Sequence, residues 1–108
     1  MKKKHTIKWA VPAKLDLVEI AEFIAEERPA IARKILKRIR ERISKLETTP
    51  ERGRVVPELA RQGITQYREM IVSPWRILYQ IDDRVVYVVL VVDGRRNMED
   101  VLFNRIMR

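Results

Sequence analysis

The run Val85-Val86-Tyr87-Val88-Val89-Leu90-Val91-Val92 constrains the fold more than any other stretch of the chain. A strand with one solvated face alternates apolar and polar residues, whereas one that is apolar at successive positions needs cover on both faces. Its eight residues fall far short of the roughly 20 that a bilayer-spanning helix needs. The run therefore predicts a buried central strand over residues 84–92, with further layers packed against it.

Two more strands lead into it. Tyr67 to Val72 and Trp75 to Ile81 carry β-branched and aromatic residues, with Ser73-Pro74 between them and Asp82-Asp83 before the central strand. A short polar–apolar alternation from His5 to Ala10 reads as a fourth strand. Residues 51–66 read as a loop with a helical turn at Pro57 to Arg61.

Two helices fill the interval. Pro12 suits a first helical turn, where its missing N–H is not needed, and Leu17, Ile20, Ala21 and Ile24 keep one-face spacing up to about Arg28. Pro29 ends that helix and can start another. Ile31, Ile35, Ile39 and Ile43 then recur every four residues, with Leu36 and Leu46 widening the stripe. With almost no linker at Pro29, the two helices should form an antiparallel hairpin. After Asp93-Gly94, Asn97 reads as an N-cap, with Glu99 and Asp100 suited to the positive end of a short helix that docks through Val101, Leu102, Ile106 and Phe103. The order β-α-α-β-β-β-α is that of one α+β domain over residues 1–108 with an antiparallel sheet.

Charge is unevenly spread. Residues 1–54 hold 15 Lys/Arg against 8 Asp/Glu, and residues 55–108 hold 8 against 7, within a net charge of +8. Much of the excess lies on the second helix, opposite its isoleucines: Arg33, Lys34, Lys37, Arg38, Arg40, Arg42 and Lys45, against Glu41 alone. A basic half points to a polyanionic partner or to a solvated helix face. The absence of cysteine excludes disulfides and thiolate zinc sites. The basic start, Met1 to His5, lacks the apolar segment of a signal peptide, so the expectation is a cytoplasmic protein without a membrane segment.

Conventional enzyme chemistry finds no footing. There is no phosphate-binding glycine loop, and the lone histidine, His5, reads as part of a mobile tail. A Ser/His/Asp triad would need that residue, while Ser44 falls on a helix and Ser73 in a turn. Neither metal nor cofactor is expected. What remains is a set of arginines at strand ends: Arg68, Arg76, Arg95 and Arg96. Gathered on one side of the sheet, they could hold a phosphate or carboxylate through paired hydrogen bonds. Alternatively Glu69, Glu58 or Asp82 neutralises Arg68 and Arg76, which then only stitch the sheet together. For Arg76 the stitching role is favoured; for Arg95 and Arg96, beside Gly94, the functional one.

The segments Tyr67-Arg68-Glu69-Met70-Ile71-Val72, Trp75 to Ile81, the valine run and Asp93-Gly94-Arg95-Arg96-Asn97, in this order and spacing, resemble the RelE/ParE superfamily of type II toxin–antitoxin systems. The resemblance extends over nearly the whole chain, with its diagnostic part in residues 67–97. It implies a helical hairpin on a twisted antiparallel sheet, and a cognate antitoxin that wraps the toxin. Antitoxin tails are often acidic, which puts Arg33, Lys37 and Arg40 forward as antitoxin contacts.

The superfamily divides by mechanism. RelE-like members cleave mRNA on the ribosome, and for that chemistry Arg68, Arg76 and Arg96 are the residues carried over. Met70 falls where a second sheet lysine is expected, and Leu102, beside Phe103, falls where a tyrosine is expected. ParE-like members inhibit DNA gyrase, and the Tyr67-Arg68-Glu69 opening and the 93–97 segment are closer to these. The resemblance then implies target contacts at Arg76, Arg95, Arg96 and Asn97. A member that has lost toxicity and only binds antitoxin is a third alternative.

Overall fold

A computed structural model describes residues 4–108. Strand β1 (Thr6–Trp9) leads directly into helix α1 (Val11–Ala25), which has Pro12 in its first turn, and then into α2 (Pro29–Ser44). Single 3-10 turns at Lys45–Glu47 and Pro50–Arg52 connect to a two-residue strand β2 (Arg54–Val55) and a one-turn helix α3 (Pro57–Ala60). The meander β3 (Tyr67–Val72), β4 (Trp75–Asp82) and β5 (Val85–Asp93) follows, then α4 (Met98–Leu102) and a closing π turn at Phe103–Met107.

The sheet runs β1-β5-β4-β3-β2, so β5 has strand neighbours on both sides, as the valine run predicts. It departs from the expected antiparallel sheet at one edge. β1 pairs with β5 in parallel, Thr6 opposite Val85 through Trp9 opposite Val88, and the other pairings are antiparallel. The two strands are joined through the rest of the fold rather than by a tight turn, so hairpin geometry does not dictate their direction.

Both faces of the sheet are covered, and each covering layer makes its own core. The hairpin layer packs Ala13, Leu17, Ile39, Ile43 and Leu46 on Met70, Val72, Ile77, Tyr79, Val86 and Val88. The opposite face packs Leu59, Met98, Val101 and Leu102 on Leu78, Leu90 and Val92. The change of face along β5 comes from a bulge: Leu78 faces Leu90 but Tyr79 faces Val88, which leaves Val89 extra. Asp16 of α1 accepts a hydrogen bond from the Val91 backbone N–H at 3.1 Å, and Arg105 of the closing turn donates to both Asp16 oxygens at 2.9 Å. One carboxylate thus ties α1, the bulged strand and the C-terminal turn together.

Three expectations change. Residues 51–66 contain β2, whose two residues are too few to show any alternation. His5 is not in a free tail: its N–H donates to the Glu47 carbonyl at 2.7 Å, held by the strand that starts beside it. Phe103 stays 58% exposed and does not dock, because α4 gives way at that residue to the wider π turn; Val101, Leu102 and Ile106 do the docking. Asn97 caps α4 as expected, its Oδ1 accepting from the Asp100 N–H at 3.2 Å.

Candidate functional site

Side chains alternate across a strand, and this separates the arginines expected to cluster. Arg68 lies opposite Tyr79 and faces the hairpin layer, whereas Arg76 lies opposite Ile71 and faces the α3–α4 layer. They do not form one anion site. Arg68 donates to the Gly53 carbonyl at 2.8 Å and is held by the 50s loop. Tyr79 fastens the same loop: its hydroxyl donates to the Pro50 carbonyl at 2.7 Å and accepts from the Gly53 N–H at 2.9 Å. Burial pushes the Tyr79 hydroxyl above its ordinary pKa.

Arg76 is buried, and four of its five guanidinium N–H groups are engaged. Nε and Nη2 donate to Glu69 at 2.6 and 3.0 Å, and Nη1 and Nη2 donate to Glu58 at 2.7 Å each. Glu69, whose side chain is 0% exposed, also accepts from Arg54 Nε at 2.7 Å. The bidentate bonds from Arg76 hold the Glu58 carboxyl down at about 2, despite the opposing effect of burial, and raise the guanidinium further above its already high value. Of the carboxylates proposed from the sequence, Glu58 and Glu69 do pair with Arg76. Arg54 completes a four-residue chain that the sequence does not reveal, because it belongs to β2, a two-residue strand within the expected loop. Gly94 is required beside it: a Cβ there would lie 2.9 Å from Arg76 Cδ and 3.2 Å from the Pro74 carbonyl.

Arg95, Arg96 and Asn97 are exposed where the chain leaves β5. Arg95 folds back on Asp93, with Nη2 at 2.6 Å, and this pair holds the Asp93 carboxyl down at about 2. The Arg96 side chain has no carboxylate within ion-pair distance among the described residues. The two arginines edge an open groove of about 750 Å³ between the hairpin and the β4–β5 end of the sheet. Its floor includes Ile20, Ile35 and Trp75, and Phe23, 77% exposed, stands at its lip. Asp16, Glu19 and Asp93 line it as well as Arg28, Arg95 and Arg96, so an apolar floor with an edge of mixed charge is open to an amphipathic surface.

The hairpin residues proposed as antitoxin contacts are exposed on α2, away from the Arg76 cluster. Arg40 borders a second groove, about 440 Å³, lined by Trp9, Leu17, Val18 and Leu36. Val11, Leu15 and Val18 extend it as an exposed apolar stripe along α1. Arg33 and Lys37 point outward beyond it. At the C-terminus, Leu102 is 0% exposed and Phe103 carries no acid–base group. Among the described residues no group of three His, Cys, Asp or Glu is placed to hold a metal ion, and no helix is long and apolar enough to cross a membrane.

The model of the ParE toxins of type II toxin–antitoxin systems, parDE, matches residues 7–98. No curated protein matches the chain in sequence. Among solved structures, the fold is similar to a chain of the chromosomal ParDE system from P. aeruginosa, with TM-score 0.69 and 17% identity over 83% of this chain and 96% of that one. It is also similar to a chain of the RelBE2 toxin–antitoxin complex from Mycobacterium tuberculosis, with TM-score 0.58 and 19% identity over 86% and 94%. At such identities the structural likeness speaks to the fold. The family match spans most of the sequence, and the chain belongs to the ParE toxins of type II toxin–antitoxin systems.

Proposed function

We propose that this chain is a cytoplasmic toxin that inhibits DNA gyrase and is neutralised by a cognate antitoxin. One observation carries the choice of gyrase over mRNA. RNA cleavage through the 2′-OH needs a group that moves a proton and a cation free to meet the phosphate. Here Arg96 is free to meet a phosphate, but Arg76 is tied to two carboxylates, and the expected tyrosine position, which would move the proton, is a buried leucine, Leu102. That arrangement suits a toxin that acts by binding. Arg95, Arg96 and Asn97 are the contacts it leaves outside, and Arg76 contributes by holding the turn that presents them.

The antitoxin reading is supported by the apolar stripe Val11, Leu15 and Val18 with Arg40 beside it. An amphipathic tail that folds on binding would bury the stripe and place a carboxylate near the arginine. Purified toxin added to a gyrase supercoiling reaction is expected to block supercoiling or trap cleaved DNA. Supercoiling unaffected over a wide dose range, together with cut A-site codons in toeprints of toxin-treated ribosomes, would replace this reading with the ribonuclease one.

A further inference from the structure

The outer face of α2 carries charge that nothing in the fold uses. Arg33, Lys34, Lys37, Arg38 and Lys45 are exposed and Arg42 is half-buried. Among the described residues, one ion pair involves this helix: Lys37 to Glu41, at 3.9 Å and well exposed. Elsewhere Arg54, Arg76, Arg95 and Arg105 each have a carboxylate within 2.9 Å. Arg33–Lys37, Lys34–Arg38 and Arg38–Arg42 are like-charge neighbours at the i, i+4 spacing, which destabilises a helix. The face therefore works against local stability, and its one internal partner among the described residues, Glu41, is distant and exposed.

We propose that this face binds the phosphate backbone of duplex DNA. A docking peptide needs apolar surface to bury, and the large apolar side chain that α2 exposes is Ile31, at its N-terminal end beside the first groove. Single-stranded nucleic acid is held by aromatic side chains that stack on its bases, and α2 contains no aromatic residue. What the face offers is a band of cations from Arg33 to Arg42 on α2, about 14 Å long at the helical rise of about 1.5 Å per residue, with Glu41 set into it and Lys45 following in the 3-10 turn. Duplex DNA presents about one negative charge per 1.7 Å of axis, so the band can meet several phosphates along one edge without reading sequence. Of the cations assigned from the sequence to an antitoxin, Arg33 and Lys37 thus belong to the DNA face. The inference stands on α2 alone; if the gyrase reading also holds, the toxin would grip the enzyme's own DNA segment.

The test uses the purified full chain and a fluorescein-labelled 20-base-pair duplex, followed by anisotropy from low to moderate salt. Binding is expected, with a log–log salt slope of about −4 to −5, which corresponds to about five phosphates neutralised. The triple variant K34E/R38E/K45E, its fold checked by circular dichroism, should lose at least about tenfold in affinity. R95A/R96A should bind DNA like the parent. Full-strength binding by the folded triple variant, or no binding at low salt, overturns the proposal. So does tighter binding of a single-stranded RNA or of polyglutamate. Gyrase is absent from this assay, so its failure leaves the supercoiling result untouched, and the reverse also holds.

Discussion

Arginines serve two opposite purposes on the two sides of this molecule. On the α3–α4 side of the sheet, Arg76 is buried between Glu58 and Glu69, and Arg54 shares Glu69 from the edge strand. On the outside of the hairpin, the cations of α2 stand in solvent with one weak, exposed ion pair among them. Composition treats both sets alike. Their surroundings do not: a charge taken out of water must be matched by counter-charge and hydrogen bonds, whereas an exposed one need not be. Buried Arg76 is thereby committed to holding the structure, and the exposed cations of α2 are not. Arg95 and Arg96 stand between these extremes. They sit just past a glycine that lets the chain press against buried Arg76, yet their own side chains are exposed.

The largest effect that would break this contrast is on the buried side. Glu69→Ala removes the acceptor of both Arg76 and Arg54 and leaves Arg76 buried with Glu58 alone. Urea unfolding should show a loss of about 3–5 kcal/mol, the range for breaking one member of a buried ion pair. A loss below about 1 kcal/mol, the size of an exposed pair, would mean that the cluster is not what fastens β2, β3, β4 and α3.

Acid should pick out the same cluster with a smaller effect. Glu58 is held down at about 2 by its bonds from Arg76, below the ordinary glutamate value of 4.5. Because the folded-state value is the lower one, this contribution to stability is full above about 4.5 and is lost as pH falls towards 2. Stability of the parent should decline through that window, and Glu58→Gln should be less stable at neutral pH and flatten the decline. An unchanged acid limb in the Gln variant would show that Glu58 does not titrate against Arg76.

On the exposed side the expected effect is smallest and opposite in sign. Lys34→Ala with Arg38→Ala removes a like-charge pair from α2, and stability should stay level or rise by about 0.2–0.5 kcal/mol. A clear loss in the same urea measurement would mean that these cations support the fold, and the division between the two sets would fail.

How much of this was legible in the sequence depends on how local the signal is. The valine run, the isoleucines of α2 and the Asn97 cap are patterns within one element, and they placed β5, the hairpin and α4. Arg76 was legible as a residue that stitches the sheet, because Glu69 and Glu58 lie within reach of a hairpin and its adjoining loop. Arg54 was not, since the two-residue β2 leaves no periodicity. Nor was the Asp16–Arg105 pair, whose members lie 89 residues apart in the chain and meet only once β1 stops short of Val91 and leaves that N–H to α1. The parallel entry of β1 and the π turn that leaves Phe103 exposed are decided by packing between elements. Arg68 and Arg76 were expected on one side of the sheet; the β3–β4 register puts them on opposite faces.

If, as proposed, Arg76 holds the structure while Arg95 and Arg96 meet gyrase, a supercoiling titration of R95A/R96A beside the parent will separate the two roles. Both residues are exposed and exposed ion pairs such as Arg95–Asp93 contribute little, so the double variant should unfold close to the parent's urea midpoint. Its potency against gyrase should nevertheless fall by at least about tenfold, a loss of about 1.4 kcal/mol in target binding. A folded R95A/R96A chain that inhibits gyrase as strongly as the parent would contradict the account.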